Sequence, residues 1–195
     1  MLKLLQFKSE KNMKKILLLL LSATAIFASQ CNYDLKELKV DWKAYKTPLK
    51  IGVGGTFDNV DITATDKSST KAFLQSATLT IHTASINSKN AGRDAKLVHY
   101  FFKKQNVKAI TIKVLSVEKK IIKLAVTMNG ITKTVPMKLD LEKDEAEAEG
   151  YIDLADFKML PSLQSINKAC YDLHQGKTWQ DVEIEFELKT KKNCE

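Results

Sequence analysis

The chain has 195 residues, of which 31 are Lys or Arg and 23 are Asp or Glu, giving a formal net charge of +8 at pH 7. The basic residues are spread along the chain and only Arg93 is an arginine, which argues against nucleic-acid binding, since such surfaces use clustered guanidinium groups. The length suits one domain with a sizeable core rather than two.

An apolar segment near the N-terminus predicts that the chain is exported. Residues 16–27 are mostly apolar and follow Lys14 and Lys15, which is the pattern of a secretory signal peptide. The segment is too short to span a bilayer, because a spanning helix needs about 20 apolar residues. We therefore expect residues 1–28 to be removed as a signal peptide, leaving one soluble domain over residues 29–195.

Three details of this signal stay open. Cleavage after Ala28 is favoured, but the small residues also fit cleavage after Ala25, and the natural start is either Met1 or Met13. Cys31 follows a glutamine rather than a small residue, which argues against a lipid anchor on that cysteine. The mature domain is therefore expected to be released rather than anchored.

Strict alternation of apolar and polar residues predicts a series of antiparallel strands. The pattern is clearest near the C-terminus, where Val182, Ile184, Phe186 and Leu188 alternate with glutamates. In chain order, the strand segments cover residues 38–42, 49–62, 78–83, 110–114, 122–128, 131–139 and 182–188, and the second of them is expected to be bent at its glycines.

Turn and helix signals occupy the connections between these strands. Asn129-Gly130 predicts a tight hairpin, because both central positions of a type I′ turn need positive φ. The acidic stretch Asp140–Glu149 is expected to be a solvated hairpin tip. Short helices are predicted at residues 69–75, 94–102 and 162–174, the last opened by a proline and closed by a glycine.

Seven or eight alternating strands with short connections and little helix indicate an all-β sandwich or a closed barrel. An eight-stranded barrel either fills its interior with its own side chains or encloses one small ligand. The strand pattern alone does not distinguish these two interiors.

Three cysteines follow the predicted signal peptide: Cys31, Cys170 and Cys194. A disulfide is expected in an oxidising compartment. Cys31 precedes the first strand and Cys194 follows the last, so this pair is favoured if those two strands are antiparallel neighbours. Cys31 with Cys170 is the competing pair.

One segment carries a more specific signal. Residues 77–102 read ATLTIHTASINSKNAGRDAKLVHYFF, a strand that runs into Ser85–Ser88, followed by Arg93-Asp94, Leu97 and Phe101-Phe102. In order and spacing this segment resembles the YceI-like family of periplasmic lipid-binding proteins. Weaker matches to the family pattern extend over nearly the whole mature chain, at Tyr33, Gly55–Phe57, Asn129–Lys133, Asp156-Phe157 and Asp181–Ile184.

Two features depart from the family pattern. The Tyr-Pro that usually follows Phe-Phe is absent, since Lys103-Lys104-Gln105-Asn106 stand there, and the helix predicted at 162–174 is not part of the pattern. Both departures are expected near a barrel mouth, so they leave the fold prediction intact and the ligand open.

The resemblance implies a lipocalin-like antiparallel β-barrel of about eight strands, with one or two short helices in its connections. It further implies a periplasmic carrier whose interior holds a long-chain lipid: a polyisoprenoid, an isoprenoid quinone or a fatty-acid-type amphiphile. A homodimer is a possible assembly, and no cofactor is implied. The alternative is a structural or stress-related interaction module with a filled barrel and no ligand.

Inward-facing apolar positions and the family segment together supply the predicted ligand-binding residues. These are Trp42, Phe57, Leu79, Ile81, Arg93, Phe101, Phe102, Ile112, Val126 and Met128. Arg93 either binds loop carbonyls or a carboxylate, with Asp94 capping the following helix, or meets a ligand head group. The two phenylalanines are adjacent, so on a helix only one of them is expected to face the core squarely.

No pattern in the sequence indicates catalysis or metal binding. His82, His99 and His174 are far apart in sequence and lack the close spacing of a metal site. The sequence has no Gly-x-Ser-x-Gly motif and no phosphate-binding glycine loop. We therefore predict a binding protein rather than an enzyme.

Overall fold

The computed structural model describes residues 31–194. The predicted signal peptide over residues 1–28, with its alternative start and cleavage sites, lies outside the described residues. The strands are β1 (Cys31–Lys46), β2 (Ile51–Phe57), β3 (Val60–Thr63), β4 (Thr78–His82), β5 (Ile86–Asn87), β6 (Ala109–Val117), β7 (Ile121–Met128), β8 (Ile131–Leu141), β9 (Glu145–Asp153) and β10 (Asp181–Cys194). The α-helices are α1 (Thr70–Gln75), α2 (Ala91–Lys96), α3 (Leu160–Ala169) and α4 (Tyr171–His174).

The strands form one antiparallel sheet in the order β3-β4-β6-β7-β8-β9-β10-β1-β2-β5. Phe57 of β2 pairs with Ile86 of β5, whereas Val60, three residues later, pairs with Ile81 of β4 at the other end of this order. The chain between β2 and β3 therefore joins the two ends of the curled sheet. This confirms the predicted all-β antiparallel barrel.

The described chain has ten strands rather than about eight. The predicted bent strand over residues 49–62 is divided into β2 and β3. The segment after β4 contains the two-residue strand β5, and part of the predicted hairpin tip over residues 140–149 belongs to β9. Strands β3 and β5 have only four and two residues, too few for alternation to reveal them, whereas the alternation of the nine-residue β9 is hidden by its glutamates.

The first and last strands are antiparallel neighbours along most of their length, with Cys31 opposite Cys194 and Trp42 opposite Ile184. The structure joins Cys31 and Cys194 in a disulfide, the pair that the sequence analysis favours. Cys170, the competing partner, is a buried free thiol. The disulfide thus fastens the two termini of the barrel domain to each other.

The hairpin between β7 and β8 follows from its turn residues. Asn129 and Gly130 have φ of 52° and 71°, as a type I′ turn requires. Met128 pairs with Ile131 directly across the turn, and the strands stay in register from there. The predicted hairpin is confirmed, and its register buries Val126 and Met128.

The acidic stretch Asp140–Glu149 contains the predicted solvated hairpin turn, but the turn is much shorter than predicted. Strand β8 continues to Leu141 and β9 begins at Glu145, so the turn spans only residues 142–144. Ala146 and Ala148 are buried while the intervening glutamates face solvent. The small alanines supply the apolar half of a period-two pattern that the charge run concealed.

The helices lie in the connections, with boundaries that differ from the predictions. Helix α1 begins at Thr70, one residue later than predicted, because Ser69 is its N-cap. Helix α2 begins at Ala91, because Asn90 is the N-cap, and continues as a π-helical turn over Leu97–Phe102. The helix predicted at 162–174 is divided at Cys170 into α3 and α4. Within residues 31–194, none of the helices combines the length and the apolar character needed to cross a membrane.

Candidate functional site

The barrel interior contains a main cavity with a volume of about 500 Å³. Its walls come from the inner faces of β1, β6, β7 and β10 and from the helical segments that cover one side. Nine of the ten predicted ligand-binding residues line it: Trp42, Phe57, Ile81, Arg93, Phe101, Phe102, Ile112, Val126 and Met128. Ligand contact by these residues stays a prediction.

Leu79 is the predicted residue that does not line the main cavity. It lies beside a separate small void of about 40 Å³, next to Leu74 of α1 and Leu188 of β10. Ile81, two residues further along the same face of β4, does reach the main cavity. Leu79 therefore packs in the filled part of the barrel, and we withdraw it from the proposed ligand site.

Alternation along β1 shows how the sequence builds one wall of the main cavity. Val40, Trp42, Ala44 and Lys46 line it, since alternate side chains of a strand point to the same face, and Tyr45 also borders it near the end of the strand. The Trp42 indole Nε1 donates to the carbonyl oxygen of Thr56 at 3.3 Å, which satisfies its one polar group. The inner face of this strand thus changes from apolar to basic toward its C-terminal end.

Phe101 and Phe102 are both buried and both line the main cavity, so the expectation that only one faces the core was wrong. The reason is the π-helical turn, in which the angular spacing of an ordinary α-helix does not apply. Their ring centroids lie 5.0 Å apart at a steep angle, a favourable edge-to-face arrangement. Phe57 adds a third ring, 6.4 Å from Phe102.

The position of Arg93 is compatible with both predicted roles, a contact with loop carbonyls and a contact with a ligand head group. It lines the main cavity, and its Nη2 lies 3.5 Å from the carbonyl oxygen of Ser88. Its Nε is buried and has no hydrogen-bond partner. Asp94 does not cap α2: its Oδ1 accepts from the backbone N–H of Ser88 at 2.9 Å, while the Asn90 Oδ1 accepts from the N–H of Arg93.

The segment from α3 to β10 contributes cavity residues that the sequence analysis did not select. Leu163, Ile166 and Leu173 recur at helical spacing and give this segment an apolar face, but nothing in the sequence shows which surface that face covers. The additional lining residues of this segment are Leu163, Ile166, Cys170, Leu173, His174, Thr178, Trp179, Val182 and Ile184. Both tryptophans of the chain, Trp42 and Trp179, therefore border the same space.

His174 lies among basic groups at the edge of the main cavity. Its Nδ1 is 2.9 Å from the Thr178 hydroxyl, which in turn donates to Asn167. Burial lowers the pKa of His174, and the positive charges of Lys46 and Lys96 lower it further. The imidazole is therefore neutral at pH 7 and acts there as a hydrogen-bonding group.

The described residues contain no group of three or more His, Cys, Asp or Glu side chains arranged to hold a metal ion. His82 instead lies 2.7 Å from Asp61 on the exposed side of the sheet. His99 packs edge-on against Tyr100. These histidines have ordinary surface and packing contacts.

Comparison with known proteins identifies the fold and the family. A search of curated protein sequences gave no match. Solved structures with the same fold include a polyisoprenoid binding domain from Saccharophagus degradans implicated in plant cell wall breakdown (TM-score 0.59, 14% identity, covering 84% of this chain and 98% of that one). Another is BcnA of Burkholderia cenocepacia (TM-score 0.57, 16% identity, covering 80% and 98%).

The YceI protein of Campylobacter jejuni, which crystallises with large solvent channels, is similar as well (TM-score 0.51, 20% identity, covering 73% and 85%). At these identities the likeness concerns the fold. The family model for the YceI-like domain matches residues 32–190, which is nearly all of the barrel described above. The chain therefore belongs to the YceI-like family.

Proposed function

We propose that this protein is an exported carrier that sequesters one long-chain lipid in the main cavity. The observation that carries the proposal is a space of about 500 Å³ inside the barrel, walled chiefly by apolar side chains. This volume lies within the usual range of small-molecule sites, about 300–1,000 Å³. The polyisoprenoid binding domain of the same fold supports a lipid as the ligand class.

Burial of an alkyl chain provides enough free energy for this role. Each buried methylene contributes about 0.8 kcal/mol, so ten of them contribute about 8 kcal/mol before the costs of association and ordering. Such binding needs no nucleophile or acid–base pair. We accordingly propose binding, without catalysis, as the activity.

The open cavity favours the carrier over the alternative of a filled barrel that acts through its surface. A barrel stabilised only by its own packing is expected to be filled at close to crystalline density. One part of the barrel is packed in this way and leaves only a small void of about 40 Å³. The main cavity, in contrast, leaves about 500 Å³ unfilled by side chains. The hollow part of the barrel is thus the part that a ligand is proposed to fill.

We propose the periplasm as the site of action. Two observations support it: the Cys31–Cys194 disulfide suits an oxidising compartment, and residues 14–28 have the sequence pattern of an export signal. An aqueous space between two membranes is also where a poorly soluble lipid needs a carrier.

Native mass spectrometry of protein purified from membrane-containing cells tests this function. The wild type is expected to carry one lipid per chain. Ala44→Trp adds bulk inside the main cavity and is expected to abolish copurification. Ala125→Trp is the matched control, because Ala125 alternates with the inward-facing Leu124 and Val126 and so lies on the outer face.

Lipid on the wild type and the control but not on Ala44→Trp supports the carrier. Absence of copurified lipid from the wild type, together with no binding of added long-chain probes, contradicts it. Equal lipid on all three proteins contradicts the main cavity as the site.

A further inference from the structure

The exposed lining residues locate the opening of the main cavity. Most lining side chains are buried or half-buried, but Asn90, Gly92 and Leu173 are exposed. They lie at the start of α2 and within α4. Lys46, at the end of β1, forms an isolated β-bridge with Thr178, close behind α4. The opening therefore lies where α2, α4 and the end of β1 meet.

Among the described residues, every charged side chain that lines the main cavity is basic. These charged residues are Lys46, Arg93 and Lys96, joined by the neutral imidazole of His174, and none of the Asp or Glu residues within 31–194 lines the cavity. All four belong to the elements that surround the opening. The remainder of the wall is almost entirely apolar, so the cavity has one basic end and one apolar end.

The basic side chains of the opening lack acidic partners. Within residues 31–194, neither Lys46, Arg93, Lys96 nor His174 makes an ion pair. The neighbouring Lys50, outside the cavity, is by contrast paired with Asp181 at 2.7 Å. The positive charge at the opening is therefore uncompensated by the described protein.

Arg93 adds a second, independent observation. Its Nε is buried without a hydrogen-bond partner, and its Nη2 has only a long contact of 3.5 Å with Ser88. A buried donor without an acceptor is costly, so natural proteins rarely retain one without a reason. An acceptor supplied by a ligand would remove this cost.

The volume limits the length of the chain that fits inside. A methylene group needs about as much space as a water molecule in the liquid, about 30 Å³. A cavity of about 500 Å³ thus accommodates about 16 carbon atoms. This is the size of one fatty acyl or farnesyl-type chain, and longer chains would have to extend beyond the cavity.

We propose that the main cavity binds a single-chain amphiphile with an anionic end group, either a carboxylate or a phosphate, held at the opening by Lys46, Arg93 and Lys96. About 16 carbons lie in the apolar part. This inference rests on the proposed function and specifies its ligand class. Charge-assisted hydrogen bonds to the anion are the expected source of the preference.

The change in Trp42 and Trp179 fluorescence on addition of a probe measures binding, since both side chains line the cavity. The probes are dodecanoate, dodecyl phosphate and dodecanol at pH 8, below their aggregation concentrations. At least one anionic probe is expected to bind about tenfold more tightly than dodecanol, and the better of the two identifies the acid or the phosphate as the source.

The double variant Lys46→Gln/Lys96→Gln is expected to lose this preference while still binding dodecanol, which shows that its cavity is intact. Lys113→Gln/Lys120→Gln removes the same charge from exposed positions outside the cavity and is expected to retain the preference. Equal affinity for all three probes, or a preference unchanged in the double variant, overturns the head-group inference alone. Failure of the wild type to bind any probe overturns the proposed function with it.

Discussion

His174 illustrates how a single side chain at the opening makes stability depend on pH. Burial and the nearby Lys46 and Lys96 lower its pKa in the folded protein below the ordinary value of about 6.5. Below that pH, the unfolded chain therefore binds more protons at this residue than the folded chain does. The free energy of unfolding is expected to fall as the pH drops from 7 through this window.

The variant His174→Gln tests this effect while keeping a polar group near Thr178. Urea unfolding at pH 7 and pH 5 is expected to show a larger loss of stability for the wild type than for the variant. An equal loss in both proteins would assign the pH dependence to other groups.

Arg93 is the second residue whose role is testable in isolation. Arg93→Lys keeps the positive charge but removes the planar fork that reaches two acceptors. If the side chain contacts the ligand, affinity for dodecanoate per folded molecule is expected to fall by roughly threefold to tenfold. Lower stability with unchanged affinity would restrict Arg93 to its contact with Ser88.

At the scale of an element, the backbone conformation of the turn between β7 and β8 requires a glycine at position 130. Gly130 has φ of 71° and open space around its missing Cβ, so strain rather than crowding opposes a side chain there. Gly130→Ala is expected to lower the free energy of unfolding by about 1 kcal/mol. Chemical denaturation measures this loss.

Gly92→Ala is the matched control for that substitution. Gly92 lies in α2, its φ is negative, and the nearest atom to an added Cβ is 3.5 Å away. Alanine is expected to raise stability there by about 0.5 kcal/mol, since it restricts the unfolded chain. A loss at Gly92 as large as that at Gly130 would contradict the argument from backbone conformation.

Elements with strict alternation were predictable from sequence, and elements shaped by tertiary context were not. Alternation and the Asn129-Gly130 pair are local signals, so the β7–β8 hairpin followed from them directly. The π-helical turn over Leu97–Phe102 and the helix break at Cys170 have no comparable local signal, because they adapt the chain to the barrel surface that it covers.

The residues of the candidate site likewise divide into those predictable from local sequence and those set by tertiary packing. Inward positions on predicted strands identified residues such as Trp42 and Val126, because alternation separates the two faces of a strand. Alternation does not separate Leu79 from Ile81, which share a face of β4. Only the packing of α1 against one part of the barrel decides which of them borders the hollow part.

At the scale of the whole molecule, a disulfide joins the first and last strands of the barrel, β1 and β10. The Cys31–Cys194 disulfide closes a loop with a sequence separation of 163 residues. Restricting an unfolded chain over such a loop is expected to contribute about 2–5 kcal/mol to stability. Denaturation of Cys31→Ser/Cys194→Ser is expected to show this loss, and unchanged stability would show that the β1–β10 pairing alone holds the termini.

Along its strands, the barrel changes from a filled to a hollow interior. Phe186 on β10 and Ile112 on β6 border both the small void and the main cavity. Beyond them, α1 supplies Leu74 to the filled part, whereas the opening lies beside α2 and α4. This arrangement leaves one entrance region, with the basic groups beside it and the apolar space behind it.

Cys170 allows the most direct test that a lipid chain occupies this space, because it is a buried free thiol in the wall of the main cavity. The measurement is the rate at which a small thiol reagent modifies Cys170, with and without dodecanoate. If only the empty cavity admits the reagent, ligand at ten times its dissociation constant is expected to slow the reaction about elevenfold by mass action. An unchanged rate while tryptophan fluorescence reports saturation would contradict occupation of the main cavity.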